Sequence, residues 1–359
     1  MSGVILRSSV AALGLAGLLA ACGCSGHPAA PSARPVLRGV FGRPLLSPQV
    51  SVTNGAVYVA WQVSNPGSVV RSELARINPR TGQIAAGRRL GAAFGQAIAA
   101  GGALWVTTMT TKGEQVLRLN RDTLQLTRRW QVGSAGTAYS AGHGLAVAGG
   151  GLWVGGGNEL LHLSLPDGRV LGSISMPGTA TSDLSANADG TVLVTGVAAS
   201  TGRGAVQRRD PATGAILASH PLLGVTAPVV AGPVRSAVWV SEPTGMMGYV
   251  QRLDAATLAP ADSACSFRAG GGPCVEGSNG ITARLADGLL WVTQPGGGIA
   301  RNYCAEPSDG RVLAPIRLPR PALDAILATT SRWIFYAAHG PGGSEYLRVR
   351  ASPPACRAP

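Results

Sequence analysis

The chain has 359 residues, a formal net charge of +13 and only 13% charged residues. Its basic residues are arginine throughout except Lys112, and they are spread along the chain without a basic helix or cluster. The charge therefore argues against a nucleic-acid binder and for no more than weak attraction to anionic lipid or cell-wall polymer. Beyond the N-terminal region about 325 residues remain, more than one ordinary core holds, which directs attention to internal repeats.

The chain opens with one positive residue, Arg7, and an apolar run from Val10 to Ala21 broken only by glycine. The run is short for a membrane span and ends in small residues, the pattern of a cleaved export signal over residues 1–21. Leu19-Ala20-Ala21-Cys22 resembles the bacterial lipobox. That resemblance implies cleavage before Cys22 and acylation of its thiol by a fatty acid such as palmitate. Cys24 fits less well, because Ala21-Cys22-Gly23 offers no large aliphatic residue three positions upstream. An ordinary secretory signal with an incidental cysteine is the alternative. Residues 22–35, rich in Gly, Ser, Pro and Ala, read as a flexible linker. The expected location is the extracytoplasmic face of the cell membrane, with Cys22 as the anchor.

From residue 36 to 359 a short apolar strand recurs seven times: GAVYVAW (55–61), GALWVTT (102–108), GLWVGG (151–156), TVLVTG (191–196), AVWVSE (237–242), LLWVTQ (289–294) and WIFYAA (333–338). Tyr58, Trp105, Trp153, Leu193, Trp239, Trp291 and Phe335 are equivalent and lie 40 to 52 residues apart. That is the period of a four-stranded propeller blade. Each is followed by a strand of alternating apolar and polar residues, such as VLRLNRDTL (116–124) or VQRLDAATL (250–258). The Asn/Asp-Pro-x-Thr-Gly ending supplies a turn: Pro sets φ, Asn or Asp bonds its own backbone and Gly takes positive φ. Helical periodicity is missing almost everywhere, so the fold class is all-β, a seven-bladed β-propeller with the large residues filling between blades.

The last repeat ends early, with only PPACRAP after YLRVRAS. VLRGVFGRPL (36–45) resembles the outer strands elsewhere, so an N-terminal strand is expected to complete the last blade and remove an open edge. The recurring L-W-V, loop, V-x-R-L-D-P-x-T-G pattern resembles the YVTN-type (YncE-like) propellers over essentially the whole mature chain. The resemblance implies a quinoprotein-dehydrogenase-like fold, a group that includes enzymes, binding proteins and scaffolds. Seven blades rather than eight, no tryptophan-docking pattern after D-P-A-T-G and no adjacent cysteines in the propeller speak against a quinone, and no cofactor is expected.

In an exported chain Cys265 and Cys274, flanking a glycine-rich loop, are expected to pair, and Cys304 with Cys356 to pin the C-terminus. Metal sites are not expected, since histidine and cysteine never take finger-like spacing. Residues just after the tryptophan strands point to Trp61, Glu242, Gln294 and His339 as ligand contacts at the channel mouth, with His143 of GTAYSAGHG beside them. The expected role is a monomeric binding or scaffold propeller for a small molecule, an envelope polymer or a protein. The alternative is an enzyme resembling the propeller lyases and lactonases, with Glu242, His339 or His143 moving a proton near a divalent metal.

Overall fold

The structure is a computed structural model. It describes residues 34–37, 46–53, 55–63, 71–78, 83–110, 113–132, 144–198, 200–222, 229–234, 236–244, 247–261, 282–294, 301–318, 322–329, 332–339 and 345–356. Among these residues no helix is long and apolar enough to cross a membrane.

The strands form seven antiparallel sheets in chain order. Sheet 1 holds Leu46–Thr53, Ala56–Val63, Arg71–Ile77 and Ile84–Arg89. Sheet 2 holds Ala93–Ala100, Ala103–Thr110, Gly113–Asn120 and Leu126–Val132. Sheet 3 is Leu145–Ala148, Gly151–Gly156, Glu159–Ser164 and Val170–Ser175, and sheet 4 is Thr179–Ala186, Val192–Ala198, Gly204–Arg209 and Ile216–Pro221. In sheet 5, Val229–Val234, Ala237–Thr244 and Met247–Asp254 pair, and a fourth line begins with a bridge from Leu253 to Pro260 and the Ala261 amide on the Arg252 carbonyl at 3.0 Å; residues 262–281 lie outside the described ones. Sheet 6 contains Thr282–Ala286, Leu289–Gln294, Arg301–Ala305 and Val312–Ile316. Sheet 7 contains Ala322–Thr329, Trp333–His339 and Glu345–Ala351, and the N-terminal strand Arg34–Leu37 pairs along its outer side. That pairing segment takes in Arg34 and Pro35, the last two residues of the expected linker; residues 38–45 lie outside the described residues.

The first strand of each sheet lies innermost and the last outermost, as burial records. In sheet 2 the second strand is buried over its first six residues, whereas the outer strand is mostly exposed. The architecture is a β-propeller. Tyr58, Trp105, Trp153, Leu193, Trp239, Trp291 and Phe335 are all 3% exposed or less. Each joins a core shared with a neighbouring sheet: Tyr58 packs with Leu104 and Leu119 of sheet 2, Trp105 with Leu145 and Leu152 of sheet 3, and Phe335 with Val57 and Trp61 of sheet 1. Filling these seams is the work the recurrence implied.

In sheets 2 to 6 the turn after the third strand follows its sequence chemistry. Asn120 Oδ1 accepts from the amides of Asp122 and Thr123, both at 2.9 Å, and Asp210 and Asp254 do the same two and three residues on. Its fifth residue has positive φ: Gly168 at 68°, Gly214 at 73° and Gly310 at 75°, but also Leu124 at 60° and Leu258 at 57°. The leucines accept left-handed backbone because their side chains, each 1% exposed, fill the seam to the neighbouring sheet.

Candidate functional site

Beside the apolar seams, polar side chains on the innermost and third strands also join neighbouring sheets. Opposite the large residue of each second strand stands a third-strand residue in register: Arg76 opposite Tyr58, Arg118 opposite Trp105, His162 opposite Trp153, Arg208 opposite Leu193, Arg252 opposite Trp239, Cys304 opposite Trp291 and Val349 opposite Phe335. Four arginines reach the turn of the following sheet. Arg76 pairs with Asp122 at 3.2 Å, Arg118 donates to the Pro166 carbonyl at 2.9 Å, Arg208 to that of Ala256 at 3.2 Å and Arg252 to that of Ser308. From the second strand, Tyr58 donates to the Arg121 carbonyl at 3.1 Å and Trp239 Nε1 to that of Pro307 at 2.8 Å.

Three repeats depart from arginine: Val349 stands opposite Phe335 in sheet 7, and His162 and Cys304 take the position in sheets 3 and 6. His162 lies flat on Trp153, ring centroids 4.2 Å apart, and burial lowers its pKa. Cys304 replaces the polar clasp with a covalent one, a disulfide to Cys356 in the turn that ends sheet 7. This is the second of the two pairings expected from the sequence. Cys265 and Cys274 lie outside the described residues.

On the innermost strands, bulges aim polar side chains at the next sheet. A register shift between Phe94 and Ala97 turns Gln96 outward, where its Oε1 accepts from the Leu145 amide of sheet 3 at 2.5 Å and Thr107 Oγ1 accepts from the Gln96 amide at 2.9 Å. The same device recurs in sheet 4. Between Thr181 and Asp183 the register shifts, the Asp183 carboxyl accepts from Leu184 at 2.8 Å and from the Val230 amide of sheet 5, and Thr195 donates to the Asp183 carbonyl at 3.3 Å.

Asp183 is the titratable group of this inner face. Burial raises its pKa from 3.8 to about 6 against the two amides and the Arg284 cation, which pull the other way. Arg284 belongs to the innermost strand of sheet 6, with sheet 5 between it and Asp183. It is exposed to water, yet loss of hydration lowers its pKa while the Asp183 charge raises it. Both statements hold for a side chain that water reaches but protein surrounds, the condition of a wall of the central channel. A carboxyl and a guanidinium of two innermost strands thus lie close enough to influence each other across sheet 5. Among the described residues no group of three or more His, Cys, Asp or Glu could hold a metal ion.

The ligand contacts expected from the sequence take the following places. Trp61 is 3% exposed and packs with Val50, Val59 and Phe335 in the seam between sheets 7 and 1. The matching position in sheet 2, Thr108, is 1% exposed, and in sheet 3 Gly156 lies against Glu114 and Val132 of sheet 2. This register is one of sheet-to-sheet packing. By backbone position Glu242 pairs with Tyr249 in sheet 5, Gln294 with Arg301 in sheet 6 and His339 with Glu345 in sheet 7. Glu242 and His339 therefore stand with sheet 6 between their strands. His143 lies outside the described residues. Gln96, Asp183 and Arg284 belong to no recurring motif that would mark them; each is a polar residue in the segment that precedes a recurring apolar strand.

The sheets define a β-propeller whose innermost strands carry Gln96, Asp183 and Arg284. No family model and no curated protein matches the sequence. Solved structures do match. BamB from Moraxella catarrhalis is 14% identical over 86% of this chain and 95% of its own, with a TM-score of 0.50. Virginiamycin B lyase from Staphylococcus aureus is 15% identical over 86% and 97%, with a TM-score of 0.56. The RRP9 WD40 repeats are 12% identical over 90% and 99%, with a TM-score of 0.59. At such identity the likeness is one of fold.

Proposed function

We propose that the chain is a membrane-anchored extracytoplasmic scaffold: a seven-bladed propeller of YVTN type, monomeric, tethered through an acylated Cys22 and presenting its surface to an envelope partner. The observation that carries the scaffold reading is the use of the polar residues. Gln96 and Asp183, the groups best placed for chemistry in the channel, accept amides of neighbouring sheets and so brace the ring. A carboxyl with two fixed donors is held in one place, which suits a rigid platform better than a proton shuttle. The seven sheets, with Arg34–Leu37 paired beside the C-terminal strand, support the seven-bladed closed ring. The likeness to BamB supports a binding or scaffold role at the level of fold.

Two measurements test this. Cells fed a labelled fatty acid should label the protein and retain it at the membrane, while Cys22→Ala should lose both label and retention; a labelled Cys22→Ala protein would refute the anchor. A photoreactive residue at Gln294, in intact cells, should give a discrete crosslinked species. A protein that crosslinks to nothing there and at equivalent strand ends refutes the scaffold.

A further inference from the structure

The joint between sheets 3 and 4 has neither the arginine nor the disulfide that closes other joints. Arg118, Arg208 and Arg252 reach a turn carbonyl of the following sheet, Arg76 reaches a turn carboxylate, and Cys304 forms a disulfide. His162 stands at that position in sheet 3 and lies on Trp153 instead, its ring 11° from parallel to the indole. Its Nε2 is buried without a hydrogen-bond partner among the described residues, and Trp153 Nε1 beside it has none either. In the same register Tyr58 and Trp239 donate to turn carbonyls of the next sheet. His162 Nε2 abuts the Gly151 backbone, so closely that a Cβ there would collide with it.

Such a nitrogen suits only one protonation state. In neutral imidazole it can stay a bare acceptor while the other nitrogen carries the proton; in imidazolium both nitrogens are donors, and Nε2–H would be buried with nothing to accept it. The surroundings oppose the cation as well. Across the joint Arg209 stands opposite Val192, which packs with Trp153, so a guanidinium already faces this seam. It is 8% exposed and donates to the Gly214 carbonyl and to Gln207 Oε1, not to a carboxylate. In the adjoining turns, Asp210 accepts the amides of Ala212 and Thr213, and Asp167 the Ser164 hydroxyl and the Arg169 amide. The other charged groups of these sheets turn away. Glu159 alternates with Leu161 toward sheet 2, whose Glu114 and Arg128 lie behind that same face, and Asp183 and the Asp189–Arg208 pair lie toward sheet 5. Burial lowers the His162 pKa, and no charged group offsets it.

We infer that His162 is a pH-sensitive latch: neutral, it closes the joint between sheets 3 and 4, and on gaining a proton it loosens that joint while the rest of the ring stays shut. A base that binds its proton less readily in the closed joint contributes stability that is complete above about pH 6.5 and declines as pH falls below it. Two other groups titrate nearby and are distinguishable. His220 pairs with Val206 on the sheet 5 side of sheet 4, where Gln251 hydrogen-bonds it and so favours its cation. Asp183 has the opposite sign, since burial favours its protonated form. The latch belongs to the ring itself and depends on neither the anchor nor a partner.

The test is amide exchange of the full chain at pH 7.5 and pH 5.0, corrected for the pH dependence of the intrinsic rate. Protection of Gly151–Gly156, Glu159–Ser164 and Val192–Ala198 should fall by up to about 30-fold, the limit set by a histidine that titrates near 6.5 once the joint opens. Ala103–Thr110 and Leu289–Gln294 should hold. His162→Phe keeps a ring on Trp153 without a titrating nitrogen, and His162→Gln serves if the larger ring does not fit against Gly151; melting at pH 7.5 establishes which variant is folded. In that variant the fall should disappear. An acid effect that persists in it, spreads evenly over all sheets or centres on Met247–Asp254 beside His220 overturns the proposal. So does full protection of sheets 3 and 4 at pH 5.0 in the native chain. Without any variant, the His162 imidazole resonance of the folded chain should titrate below pH 6.5, and a midpoint at or above that value overturns the latch.

Discussion

Two residues show how single side chains settle between opposing costs. Leu124 holds a left-handed backbone that strains a leucine by about 1–2 kcal/mol, yet its side chain is buried against Leu104 and Leu119, worth roughly 2–3 kcal/mol. Leu124→Gly relieves the first and forfeits the second, and the residual cavity adds to the loss. A net destabilisation of about 1–2 kcal/mol is expected in urea unfolding; an unchanged or raised midpoint would show that the turn, not the seam, sets the cost. Asp183 poses the electrostatic version. Its carboxyl keeps its proton up to about pH 6 in the folded chain and releases it near 3.8 unfolded. The stability this confers is complete below about pH 4 and declines as pH rises through 6, by on the order of 2 kcal/mol after allowing for channel water. Asp183→Asn keeps an oxygen for the Leu184 and Val230 amides and does not titrate. Its stability relative to the parent should therefore improve between pH 5 and 7.5, and a constant difference across that range would refute the assignment.

At the scale of strands and turns, the recurrence was legible because it is repeated. The recurring pattern placed the third strands and the large residues of the seams where the structure has them, and the turns of sheets 2 to 6 lie where the spacing implies. What the pattern did not reveal is why an arginine recurs in it. Arg118, Arg208 and Arg252 each reach the turn of the following sheet, a contact between segments about 50 residues apart that periodicity locates but does not explain. The inner face was illegible for the opposite reason, since Gln96, Asp183 and Arg284 occur once each and have no repeat to betray them. Of the positions expected as contacts, Trp61 alternates onto the packing face, as do Thr108 and Gly156 at the matching register of sheets 2 and 3. Arg208 offers a measurable consequence. It reaches Asp189 at 2.6 Å as well as the Ala256 carbonyl. Partial burial raises the Asp189 pKa, but Thr191 and Arg208 outweigh it and hold it at about 2. Such a depressed carboxyl contributes stability above about pH 4 that is lost as pH falls toward 2. Arg208→Ala should cost about 1–2 kcal/mol at neutral pH, by removal of a charged hydrogen-bond donor, and the cost should shrink in acid. A penalty independent of pH would assign the arginine to packing alone.

Over the whole molecule, the joint between sheets 6 and 7 differs in kind from the others. Four of the described joints rely on an arginine, which water can replace, whereas this one is closed by Cys304 and Cys356, with a Cα separation of 5.8 Å and 52 residues between them in sequence. Sheet 7 is also where the two ends of the chain meet, Arg34–Leu37 lying beside Glu345–Ala351 over four residues only. So short an outer strand holds weakly by itself, and the bond secures the third strand on which it pairs. In the chain-entropy account a bridge across about 52 residues restricts the unfolded chain by about 4 kcal/mol, with less realised where the reduced protein keeps structure. Reduction, or Cys304→Ser with Cys356→Ser, should lower stability by about 2–4 kcal/mol. Amide exchange should rise first in Glu345–Ala351 and Arg34–Leu37 and leave sheets 2 to 4 protected, because their seams are closed by Trp105, Trp153 and Leu193 without cysteine. If exchange instead accelerated evenly round all sheets, the propeller would be unfolding as one cooperative unit, and the bond would be stabilising the whole ring rather than its seam.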